Sequence, residues 1–154
     1  MAQELQIGGT RPHAVLFACR LNSVRSPMAV GLLRQMFGKS LYVASAGVRK
    51  HELDPFATAV MEEIGIDMSR HMPVSIADLH DTSFDLIVTL APEAHHQALE
   101  LAQRYAIDVE YWPTPDPTLA TGAREQILDA YRDVRDRLFA KIKQRFPIPG
   151  AFTA

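Results

Sequence analysis

The sequence predicts an α/β fold: a single domain built on a four-stranded parallel sheet flanked by helices. Three observations carry that prediction. Short, nearly all-apolar runs alternate with longer stretches of helical periodicity. Two of the runs, Ala14 to Ala18 and Phe84 to Leu90, are apolar at almost every position, as strands covered on both faces must be. The 154 residues, 47% hydrophobic and 22% charged, suit one domain with an ordinary core.

The elements follow in order. Residues 1–12, polar and containing Gly8-Gly9 and Pro12, read as a leader. Ala14-Val15-Leu16-Phe17-Ala18 is the first strand. Pro27 suits the first turn of a helix that sets Met28, Leu32, Leu33 and Met36 on one side and ends at Gly38. Leu41 to Ala46 is the second strand, closed by Gly47. Asp54-Pro55 combines an N-cap with a first-turn proline; Ala57, Val60, Met61 and Ile64 form the apolar stripe, and Gly65 stops the helix. A short helix is expected around Ser75 to Leu79. Phe84 to Leu90 is the third strand, interrupted only by Asp85 and Thr89. Pro92 to Tyr105 is helical, with Ala94, Ala98, Leu101 and Tyr105 on one face. Val109 to Trp112 is the fourth strand. A last helix, Ala123 to Arg145, repeats Ile127, Tyr131, Val134, Leu138 and Ile142 inward. Its Arg132, Asp133, Arg135, Asp136 and Arg137 are expected to form a solvated face with local ion pairs. The domain is thus placed at residues 13–146, with a tail at 147–154.

Composition excludes several functions. Sixteen basic residues against eighteen acidic ones leave a net charge of −2, so no nucleic-acid partner is expected. No apolar run approaches the roughly 20 residues of a membrane span, and Met1-Ala2-Gln3-Glu4 does not open a signal peptide. A single cysteine, Cys19, leaves no intrachain disulfide and points to the cytoplasm. The adjacent His95 and His96 face different sides of a helix, so neither a metal nor any other cofactor is expected.

In parallel sheets the binding crevice lies beyond the carboxyl ends of the strands. The first strand runs straight into Cys19-Arg20-Leu21-Asn22-Ser23-Val24-Arg25-Ser26-Pro27. A loop wrapped over a helix start points its amides inward and, with the helix dipole, makes a site for a tetrahedral oxyanion. Arg25 adds a planar fork for two oxygens. The same field favours the thiolate of Cys19, a nucleophile aimed at phosphorus, with Ser26 placed to donate to its sulfur. Beyond the fourth strand lies Pro113-Thr114-Pro115-Asp116-Pro117, a stiff loop at the same sheet edge. There Asp116 is positioned to protonate a leaving oxygen and then to activate water. Arg20, Arg49 and Lys50 are candidates for the pocket rim.

Cys19-x-x-Asn22-x-x-Arg25-Ser26-Pro27-x-Ala29 after an apolar strand resembles the low-molecular-weight protein tyrosine phosphatase family. Ser45-Ala46-Gly47, Gly65-Ile66-Asp67, His71, Phe84-Asp85-Leu86-Ile87 and Asp116-Pro117 add to the resemblance, which runs from about His13 to Arg145. It implies the phosphotyrosine phosphatase I-like, Rossmann-like three-layer fold and phosphomonoester hydrolysis, without metal, through a cysteinyl-phosphate intermediate. It implies Cys19 as nucleophile, Arg25 as phosphate clamp and Asp116 as acid, then base. Arg20, Leu21, Asn22, Ser23, Val24, Arg25 and Ser26 would form the phosphate-binding loop. Asn22, Ser26, Ser45 and His71 would support it, with Asn22 in the left-handed conformation that Asn tolerates.

The chain departs from the family where Leu21 replaces the usual Gly, where Val24 replaces a frequent second cysteine, and where no aromatic residue follows Ser-Ala-Gly or Asp-Pro. The expected substrates are a phosphorylated protein or a small phosphomonoester, with phosphate, sulfate or arsenate in the loop. Two alternatives stand beside hydrolysis. One is arsenate reduction with an external thiol donor, because the version with resolving cysteines is excluded by the cysteine count. The other is a non-catalytic oxyanion-binding module.

Overall fold

The computed structural model describes residues 11–148, so most of the expected leader and tail lies outside the described residues. Four strands, β1 (Ala14–Cys19), β2 (Tyr42–Gly47), β3 (Leu86–Thr89) and β4 (Asp108–Tyr111), form one parallel sheet in the order β2-β1-β3-β4. The helices are α1 (Arg25–Phe37), α2 (Pro55–Glu62), α3 (Pro92–Tyr105) and α4 (Arg124–Arg145), with single 3₁₀ turns at Gly38–Ser40, Ile76–Asp78 and Pro117–Leu119.

Alternation along β1 explains its unbroken apolar run. Val15 and Phe17 face a core shared with α1, α2 and α4, while Ala14, Leu16 and Ala18 face a second core under α3. Both faces are covered, so no position of the strand tolerates a polar group. Trp112, just past β4, is buried edge-on against Phe17, with ring centroids 6.0 Å apart. The predicted strands and helices all form, and their ends differ by a residue or two.

α1 begins at Arg25, so Pro27 lies in its first turn as expected and the arginine opens the helix. Some expectations are corrected. α2 ends at Glu62, before Gly65 at φ +80°, so Ile64 falls outside the helix and is exposed. On α3 only Ala94 and Ala98 are buried, Leu101 is partly buried, and Tyr105 at the end of the helix is exposed. Arg135 is not solvated. It is buried under the end of α2, where its Nη1 donates to the Val60 carbonyl at 2.8 Å and to Glu63 at 2.9 Å.

Asp85, the polar interruption before β3, is explained by its partners. Its carboxylate accepts from the His13 and Ala14 amides at 2.9 and 3.1 Å, tying the start of β1 to β3. The order β2-β1-β3-β4 places a topological switch point at the carboxyl ends of β1 and β3.

Candidate active site

Cys19 is the last residue of β1 and Arg25 the first of α1, so five residues turn the chain through the switch point. The segment after β2 runs beside this loop and satisfies its carbonyls. Val48 N donates to Cys19 O, Arg49 N to Arg20 O, His51 N to Leu21 O and Asp54 N to Ser23 O, at 2.9 to 3.1 Å. His71 Nε2 donates to Asn22 O at 2.9 Å, and Met28 N to Val24 O at 3.1 Å. Every carbonyl from Cys19 to Val24 is therefore engaged on the outside. Among the described residues no group accepts from the amides of residues 20–24. Those donors remain for an anion in the loop. Gly47 permits the close approach, since a Cβ there would lie 2.4 Å from Arg49 O and 2.7 Å from Asn22 N.

Asn22 organises the interior of the loop. It is fully buried and sits at φ +56°. Its Nδ2 donates to Ser26 Oγ and to Ser45 Oγ, both at 2.9 Å, and its Oδ1 accepts from Val74 N at 2.9 Å. Because Asn22 supplies a proton to Ser26 Oγ, the Ser26 hydroxyl proton is available to the Cys19 sulfur 2.9 Å away. Burial, aided by the charge of Arg34, lowers the His71 pKa against the opposing hydrogen bond to Asn22. A neutral imidazole with its proton on Nε2 suits the Asn22 carbonyl it faces.

Arg25 is buried along its stem, and its Nη1 donates to the Thr114 carbonyl at 2.9 Å. Its Nη2 stands 4.0 Å from Asp116 Oδ2. The other Asp116 oxygen accepts from the Thr118 amide at 3.0 Å and the Thr118 hydroxyl at 2.6 Å, which turns Oδ2 towards Arg25. Two loops from opposite halves of the sheet thus close one pocket, lined by Cys19, Arg20, Leu21, Ser23, Val24, Arg25, Asp116 and Thr118.

The structure brings the expected site residues together in two layers. Cys19, Arg25, Asp116 and most of the loop line the pocket; Asn22, Ser26, Ser45 and His71 lie behind it. Leu21 does not require glycine, because within the loop only Asn22 has a positive φ. Sequence reasoning missed Thr118, although Asp-Pro-Thr is a pattern for a side chain accepting from the residue two further on. It also missed the second role of Asp54. Besides capping α2, Asp54 accepts from the Tyr131 hydroxyl of α4 at 2.8 Å, and burial together with this carboxylate raises the Tyr131 pKa. That pairing spans 77 positions of sequence, and no local signal announces it.

The pattern of the family described as low molecular weight phosphotyrosine protein phosphatase matches residues 14–146. The chain belongs to this family. The arsenate reductase of Bacillus subtilis (strain 168) is 33% identical over 130 residues, covering 84% of this chain and 92% of that protein. A solved arsenate reductase in a phosphate-binding state superimposes with a TM-score of 0.71 at 28% identity, over 85% of this chain and 94% of its own. The tyrosine phosphatase AmsI of Erwinia amylovora gives a TM-score of 0.73 over 88% and 92% of the two chains, and at 20% identity that likeness is one of fold. This member of the phosphatase family therefore stands among relatives with both names. Its pocket has one thiol and no aromatic lining residue.

Proposed function

We propose that the protein hydrolyses phosphomonoesters through a cysteinyl-phosphate intermediate. The observation that carries this reading is the shared pocket: Asp116 faces the same cavity as Cys19 and Arg25, from a separate loop. In the proposed step, Cys19 Sγ forms a bond to phosphorus as the bond to the leaving oxygen breaks. That oxygen takes a proton from Asp116. Water then attacks the phosphorus, Asp116 takes its proton, and the S–P bond breaks to release phosphate and restore the thiolate. The inward amides of residues 20–24 and the Arg25 fork stabilise the charge that builds on the equatorial oxygens. A cytoplasmic, reducing setting, in which Cys19 stays free, completes this reading.

The relatives named arsenate reductase favour a second reading at the same thiol. Here Cys19 Sγ displaces hydroxide from arsenate. An external thiolate attacks that sulfur, forming a disulfide, and the S–As electron pair leaves with arsenic as arsenite. A second external thiol then reduces the disulfide. With a single cysteine, both electrons must come from outside the chain.

One experiment separates these. Turnover of 4-nitrophenyl phosphate is measured beside arsenate-dependent oxidation of glutathione, mycothiol or glutaredoxin. Hydrolysis that vanishes in Cys19→Ser and falls about 10²- to 10⁴-fold in Asp116→Ala supports the phosphatase. Thiol oxidation without hydrolysis supports the reductase. Phosphate binding with neither activity leaves a binding module and refutes both.

A further inference from the structure

Three cations lie in or beside the loop of the Cys19 pocket, and the chemistry above does not use them. Arg20 lines the pocket and is exposed. Its carbonyl accepts from the Arg49 amide, and the flanking Val48 and His51 amides bond the carbonyls on either side. Arg49 and Lys50, both exposed, therefore run alongside the loop next to Arg20, which lines the pocket. Among the described residues no carboxylate lies within ion-pair distance of Arg20, Arg49 or Lys50. The acids closest along the chain and in the pocket are Glu52, which is exposed, and Asp116, which faces Arg25.

The pocket's lining points the same way. It includes no aromatic residue, and its aliphatic members are Leu21 and Val24. A neutral aromatic leaving group finds no ring to stack on there. Charge, from Arg20 in the lining and the cations that follow beside it, is what the surroundings offer for recognition beyond the transferred phosphoryl group.

We propose that the leaving group of the physiological substrate carries a second anionic group, a phosphate or a carboxylate, held by Arg49 and Lys50 beside Arg20. This rests on the phosphomonoester reading and names its substrate class. Two exposed contacts of this kind together favour the doubly anionic substrate by about tenfold at low ionic strength, and salt screens that preference.

The test compares 4-nitrophenyl phosphate with an aryl bisphosphate, and a phosphopeptide with acidic flanks with its neutral-flanked counterpart. kcat/KM is measured for wild type and for Arg49→Glu/Lys50→Glu at low and high salt. In parallel, the same four compounds are titrated calorimetrically into Cys19→Ser, which reports binding without turnover. The expected result is a preference of about tenfold for a doubly anionic member, weakened by salt and reduced towards one by charge reversal. Arg49→Gln/Lys50→Gln should lose part of it and guards against a folding artefact. Preference in the bisphosphate pair alone assigns a small metabolite, and in the peptide pair alone an acidic protein segment. Equal binding within both pairs, or a preference that survives charge reversal, overturns the proposal. Selective binding by Cys19→Ser with no turnover by wild type defeats the hydrolysis reading and leaves the anion subsite standing.

Discussion

Asn22 holds three partners with one short side chain while its backbone occupies a region that most residues avoid. Removing the amide strands the Val74 amide, at about 1–3 kcal/mol, and takes a donor from two buried hydroxyls that keep other bonding options and so lose less. Asn22→Ala should lower unfolding free energy by about 2–4 kcal/mol in urea titrations and weaken phosphate binding. Asn22→Gly relieves the backbone strain alone, so it should recover no more than about 1 kcal/mol and leave binding weak. Full recovery of binding by glycine would show that conformation, not the amide, shapes the loop. The left-handed backbone was anticipated through the family resemblance, asparagine being a residue that tolerates it. The partner Val74 was not legible, because it lies 52 positions away and contributes only a backbone amide.

At the scale of elements, α2 and α4 are joined through the end of α2. The Val60 carbonyl lies in the last turn, where helical carbonyls lose their intrahelical donors, and Arg135 of α4 supplies one. Glu63 then bridges Arg135 and Arg132, and their hydrogen bonds hold its pKa at about 2 instead of 4.5. A carboxyl whose folded pKa is depressed adds stability above its unfolded value and loses it as pH falls towards the folded one. Glu63→Gln should therefore melt below wild type by about 2–4 °C at neutral pH, a modest figure because the group is partly exposed. The gap should close as pH drops from 4.5 to about 2, followed by calorimetry or circular dichroism. A gap that persists unchanged at acid pH would assign the effect to packing. The sequence of α4 read as a solvated charged face because its arginines and aspartates pair at helical spacing. Which arginine turns under α2 depends on how the helices cross, and local spacing carries no trace of that.

For the molecule as a whole, the proposed anion site is already formed in the fold: the loop amides lack acceptors among the described residues and Arg25 is buried. A ligand that binds only this folded arrangement stabilises it by mass action, about 2.7 kcal/mol at a hundredfold excess over Kd. For a chain of this size, phosphate or vanadate should raise Tm by about 5–10 °C under those conditions. In Arg25→Lys, which keeps a charge but loses the planar fork, the rise should shrink to a small fraction. An unchanged rise in that variant would remove the guanidinium from the binding site. The sequence alone determined the parallel α/β architecture, because covered strands and one-sided helices impose different periods on their apolar residues. It also determined where the thiol-and-arginine loop begins, because that motif is continuous along the chain. Tertiary structure decided what converges on it. The crevice rule already set Asp116 at this edge of the sheet and the resemblance named His71, but the amides after β2 on the loop carbonyls and the 4.0 Å approach of Asp116 to Arg25 exist only because the strand order β2-β1-β3-β4 gathers distant carboxyl ends at one edge. Individual contacts of this kind, atom on atom between distant loops, leave no periodicity and no local composition from which to read them.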